Sequence, residues 1–189
     1  FISVYYLKNR DNDGKLNDED FYYFLSKTIA FVWTYAITNP GVNALRSPIY
    51  AEMLNIVKEQ TVNFERYKFD EDTVKSLFNA YSFSNIRPLT KSMLVWWMFQ
   101  NPNQGLLSLD TSIEIEHIFA RNRQNKEKSL LDARKIEQIG NKAILEKRIN
   151  IRASDYRFLD KIKYYQGFTN GRNQVKEGTK NTELIEMAN

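Results

Sequence analysis

The chain contains no cysteine, so it has neither a disulfide framework nor a thiolate metal site, and it fits a reducing, cytoplasmic setting. Nor does any apolar run approach the roughly 18 to 20 residues needed to cross a bilayer. The richest stretch, Phe21 to Ile37, is interrupted by Ser26, Lys27 and Thr28, and no membrane association is expected. No glycine-rich phosphate loop, internal repeat or low-complexity tract is visible. The sequence starts at Phe1 without an initiator Met or a basic-then-apolar leader, which reads as part of a longer protein. Histidine occurs once, as His117.

What is present is enough for a folded core: 189 residues, 42% apolar and 14% aromatic. Charge is unevenly spread. Residues 1 to 117 carry 11 Lys+Arg against 14 Asp+Glu, a net of −3, and residues 118 to 189 carry 16 against 9, a net of +7. A basic C-terminal third suits a polyanionic partner, because each phosphate contact releases counterions, although a solvated basic face has the same composition.

The first hundred residues read as helices. Asn17 is an N-cap candidate, with Asp18, Glu19 and Asp20 favourable in the first turn, and Asn39-Pro40-Gly41 ends the helix that follows. Ser47-Pro48 offers a second cap, Asp70 a third, and Leu89 to Phe99 forms the last helix of this region. The stretch Asn101 to Gly105 is the expected domain boundary, giving a helical region over 1–104 and a second domain over 105–189. There Thr111 to Glu116 alternates as a half-buried strand, with Ile113 and Ile115 on one face and Glu114 and Glu116 on the other. Ser129 to Gln138 reads as a short helix, Lys142 to Glu146 as a second strand, and Asp155 to Gln166 as a helix with Phe158, Leu159, Ile162 and Tyr165 inward and Arg157, Lys161 and Lys163 outward. The expected fold class is mainly α with a small β component.

Hydrolysing a phosphodiester with water needs a base, a cation to stabilise the developing charge, and groups that hold both. Glu116 can give a hard oxygen to a divalent ion and His117 can be the base. Each residue also has an ordinary reading: a solvated strand face for Glu114 and Glu116, a turn for Gly140-Asn141, a helix cap for Asn150.

Taken in order, Ile115-Glu116-His117-Ile118, Ile139-Gly140-Asn141-Lys142-Ala143-Ile144-Leu145, Asn150, and Phe158 with Lys161 resemble the C-terminal HNH domain of GmrSD-type restriction enzymes over roughly residues 106 to 170. One departure is Ala120, where that family usually has Pro. The resemblance implies a ββα-metal nuclease module acting on DNA. In it His117 is the general base, Asn141 braces the His-bearing loop, Glu116 and Asn150 hold a divalent metal such as Mg²⁺ or Mn²⁺, and Lys161 faces the phosphate or leaving oxygen. Glu114 would be a water-mediated ligand. Arg121, Arg123, Lys126, Arg148, Arg152 and Arg157 would line the DNA backbone. A nucleotide-hydrolysing sensor, as a domain or subunit outside this chain, would recognise modified foreign DNA. Alternation of Glu116 and His117 along a strand turns them to opposite faces, so the strand must bend or end there if both serve one site.

A separate motif, Asn9 to Asp20, approximates a calcium-binding loop, but Asn stands first, Asp rather than Glu stands last, and no second loop pairs with it. A polar turn and a capped helix account for the same residues. Two other functions remain open at this point: a nucleic-acid-binding module without catalysis, and a helical interaction domain using Tyr5, Tyr22, Tyr23, Phe24, Trp33, Trp96 and Trp97.

Overall fold

The computed structural model describes residues 1–41 and 43–189. They form two compact units, Phe1–Tyr81 and Ser82–Asn189, so the division falls upstream of the compositional change at residues 101–105.

The first unit is helical: α1 (Ile2–Asn9), α2 (Asp18–Thr38), α3 (Arg46–Val57) and α4 (Glu71–Ala80). Asn17 and Asp70 cap α2 and α4 by accepting from Asp20 N and Thr73 N, satisfying amides that the first turn leaves unpaired. Ser47 is not the cap of α3, which starts a residue earlier behind Leu45, with Pro48 in its first turn. The core is aromatic. Phe24 stacks on Tyr5 and Phe31 on Phe64, each pair 3.9 Å between ring centroids. Tyr5 and Phe24 thus belong to this core, whereas Tyr22 and Tyr23 are exposed. In the Asn9–Asp20 loop the Asp11 carboxylate accepts from the amides of Asp13 and Lys15, and Asn17 caps α2.

The second unit contains α5 (Pro88–Met98), β1 (Ile113–His117), α6 (Arg121–Glu127), 3-10 turns over Ala133–Glu137 and Ile139–Asn141, β2 (Lys142–Glu146), α7 (Lys147–Ala153), α8 (Phe158–Gln166), a small hairpin of β3 (Gly167–Thr169) and β4 (Val175–Glu177), and α9 (Thr182–Ala188). The whole is mainly helical with two small antiparallel sheets. The 3-10 turn at Ala133–Glu137 replaces the helix expected over residues 129–138, and β1 runs one residue past Glu116.

β1 and β2 pair with Ile113 opposite Glu146 and His117 opposite Lys142. Because side chains alternate across a strand, this hairpin becomes the middle layer of the unit. Ile115 and Ile144 face Leu94 and Met98 of α5, while Ala143 and Leu145 pack with Ile149, Ala153, Tyr165 and Leu184 from α7, α8 and α9. Two assignments on α8 are reversed. Leu159 is 80% exposed and Lys161 is fully buried. The β3–β4 hairpin closes against the end of α8, where Thr179 N donates to Tyr165 O at 2.8 Å and a Cβ on Gly178 would lie 2.3 Å from that same oxygen. Only glycine permits that approach.

Candidate active site

Glu116 lies on the α7–α8 side of β1 and is 3% exposed. Its Oε1 accepts from Lys161 Nζ and from Tyr165 Oη, the latter at 2.8 Å. The Lys161 ammonium also donates to His117 O at 2.7 Å. Burial pushes the Glu116 carboxyl above its ordinary range, with the adjacent ammonium pulling the other way. Burial and the neighbouring carboxylate raise the Tyr165 hydroxyl, so it remains a donor. Lys161 was expected to face a phosphate; it lies instead beneath the strand, its ammonium engaged by Glu116 and the carbonyl of His117.

His117 lies on the other side of β1, as alternation requires. Lys142, its cross-strand partner, puts Nζ 2.9 Å from His117 Nε2. That ammonium also donates to Glu137 Oε2 at 2.8 Å and to Asn85 Oδ1. Glu137 Oε1 pairs with Arg121 and stands 3.6 Å from Nε2. The imidazole pKa falls from 6.5 to about 4, first through burial and then through Lys142, with Glu137 opposing. His117 is therefore neutral at pH 7.

Asn141 holds the loop after His117. Its Oδ1 accepts from Phe119 N at 2.8 Å, its Nδ2 donates to Phe119 O at 3.0 Å and to Ile136 O, and its own carbonyl accepts from Ile118 N. Both main-chain groups of Phe119 are thus met by one amide, which fixes the chain where β1 stops. On α7, Asn150 Nδ2 donates to Glu114 Oε2 at 2.9 Å, while Lys147 lies 3.7 Å from the other oxygen of Glu114.

Although Glu116 and His117 start from opposite faces, the strand ends at His117, and Glu116, His117, Asn150, Asn122 and Asp155 line one open depression of about 420 Å³. The basic residues do not share one path. Arg121 is at the rim of that depression, while Arg123, Lys126 and Arg157 are tied to Glu127 and Asp155. Arg148 and Arg152 line a separate depression of about 680 Å³ together with Lys147, Lys176 and Lys180.

Lys142, Glu137, Asn85 and Tyr165 did not emerge as site residues from the sequence. Only Lys142 had a signal: a lysine opening a strand whose next three residues are apolar. That signal becomes specific once the register sets it opposite His117.

An open, polar depression with a neutral imidazole beside carboxylate and amide oxygens suits a hydrolase acting on a large polar substrate. Residues 58–183 match the family model of the GmrSD restriction endonucleases, C-terminal domain, and the chain belongs to that family. Membership gives it a nuclease function of the restriction-endonuclease type, with DNA as what such a domain acts on. No curated protein and no solved structure matches the chain. No helix among the described residues is long and apolar enough to cross a membrane.

Proposed function

We propose that the 82–189 unit is an HNH-type, metal-dependent DNA endonuclease, the effector part of a cytoplasmic modification-dependent restriction or phage-defence enzyme whose sensor lies outside this chain. The observation that carries this reading is the meeting of Glu116, His117 and Asn150 at one depression, at the end of a strand secured by Asn141.

The donor set fits a hard divalent ion such as Mg²⁺ or Mn²⁺. Both side-chain donors to Glu116 fall on Oε1, and Asn150 uses its amide nitrogen on Glu114, which leaves the other Glu116 oxygen and Asn150 Oδ1 as ligands. One carboxylate and one amide oxygen are few, in keeping with an ion of the Mg²⁺ kind that retains most of its waters. When bound, the ion supplies electrostatic stabilisation of the charge developing on the phosphate. His117 takes the proton of the attacking water as the new P–O bond forms, and the old bond breaks to give an alkoxide that is protonated by solvent. Asn141 keeps the imidazole in place, and Lys161 positions Glu116 and the His117 carbonyl from below. Glu114 acts through Asn150.

One observation favours a DNA-binding module without turnover: Lys161 already gives Glu116 the positive neighbour that an ion would provide. Plasmid nicking separates the two. The nuclease reading expects nicking by the purified chain with Mg²⁺ or Mn²⁺ and none after EDTA; DNA binding without nicking in either ion would establish the other reading.

The role of the basic residues along the DNA backbone is separately testable. Arg148→Ala combined with Arg157→Ala, both at exposed positions, should flatten the dependence of log affinity on log salt by about 0.9 for each duplex phosphate left without its cation. An unchanged slope would remove both residues from the path of the DNA.

A further inference from the structure

We infer that Lys142 holds His117 in the Nδ1–H tautomer in the resting protein, and that Glu137 is positioned to take over Nε2 when the imidazole must act as a base. Neither residue has a role in the resemblance drawn from the sequence. The argument is one of donors and acceptors.

An ammonium has three N–H donors and no acceptor. Lys142 is fully buried at its side chain and meets three acceptors: Asn85 Oδ1, Glu137 Oε2 and His117 Nε2. The third contact requires a lone pair on Nε2. A neutral imidazole carries one proton, which must then sit on Nδ1. Among the described residues no hydrogen bond is made to Nδ1. This nitrogen would then carry a donor, not a lone pair.

Glu137 Oε1 supplies the alternative. It stands 3.6 Å from Nε2, too far for a hydrogen bond but on the correct atom, and Arg121 anchors it. If Lys142 withdraws from Nε2 and keeps Asn85 and Glu137 Oε2, the imidazole proton can move to Nε2 and be donated to Glu137. Nδ1 then presents the lone pair that a base needs. Asn85 connects the same network to β1 by donating from Nδ2 to Ile115 O. Lys142, Glu137, Arg121 and Asn85 are thus positioning residues that act through His117.

Because the chain has only one histidine, its ring nitrogens can be read without assignment. The experiment is a long-range ¹H–¹⁵N correlation spectrum of ¹⁵N-histidine-labelled full chain, dialysed against EDTA, at pH 7.5. The expected pattern has a protonated, pyrrole-type Nδ1 and an unprotonated, pyridine-type Nε2. Lys142→Met should exchange the two shifts, since Glu137 then becomes the partner of Nε2, and Lys142→Arg should retain the wild-type pattern by keeping a cationic donor. A wild-type Nε2–H spectrum overturns the inference outright, whether or not Lys142→Met folds. An Nδ1–H pattern that survives in a folded Lys142→Met protein overturns the part given to Lys142. The spectrum concerns the imidazole proton alone, so it decides the matter independently of whether the chain cuts DNA.

Discussion

Replacing Lys161 with Met is expected to destabilise the 82–189 unit by about 3–5 kcal/mol, the usual cost of removing one partner from a buried ion pair. The measurement is urea unfolding, in which the midpoint falls while the slope is kept. Size alone does not drive this effect, because Met fills most of the volume. The loss comes from Glu116, which is 3% exposed and would keep only Tyr165 as a side-chain donor. The His117 carbonyl would also lose its bond from the ammonium. The sign with pH follows. Burial already raises the Glu116 carboxyl, and removing Lys161 takes away the strongest opposing influence, so its folded pKa rises further above the unfolded value. A group shifted that way favours the fold fully below its unfolded pKa and loses that contribution as pH rises through the folded one. Lys161→Met should therefore be closer to wild type in acid than at pH 8. Adding Glu116→Gln should restore much of the loss, because no buried charge is then left alone. A Lys161→Met protein as stable as wild type at pH 8 would show that the pair is not buried in solution.

His117→Ala is expected to reduce nicking by about 10²–10⁴-fold, the range for loss of a general base, with DNA affinity preserved. A variant that nicks at the wild-type rate would falsify the assignment of the base. The same residue leaves a mark on stability that needs no DNA. Its folded pKa of about 4 lies below the ordinary 6.5, chiefly through burial, so the native state binds fewer protons than the unfolded chain between those values. The neutral imidazole's contribution is complete above the unfolded pKa and is lost as pH falls from about 6.5 towards 4. Glu116, with its raised pKa, acts in the opposite direction over part of that range. The difference between wild type and His117→Ala isolates the histidine. It should narrow steadily as the solution is acidified. A difference that stays flat from pH 7 to pH 4 would place the imidazole in water.

Much of the local structure was legible. Asn17 and Asp70 are caps because a short polar side chain before a helix meets its free amides, and this needs only neighbouring residues. The span of β2 and the order of strand, strand and helix around Asn141 and Asn150 follow in the same way from alternation and from the Gly140-Asn141 turn. The site is less local. Glu114 and Glu116 share one face of β1 and look equivalent in sequence, yet Glu114 is half exposed beside Asn150 and Lys147, whereas Glu116 is buried on Lys161 and Tyr165.

By itself, then, the sequence determined the caps at which α2 and α4 begin and the span of β2, that one histidine follows one carboxylate at the end of a strand, and that the C-terminal third is basic. Its motifs also carried the resemblance to the family. Only the tertiary structure decided that Lys161 is inside and Leu159 outside, that Lys142 meets His117, and that Arg121 lines one depression, Arg148 and Arg152 another, while Arg123, Lys126 and Arg157 pair with Glu127 and Asp155. The reason is physical. Periodicity and capping depend on residues a few positions apart, whereas the fate of a charge depends on what comes to meet it, and Lys161 finds its carboxylate 45 residues away.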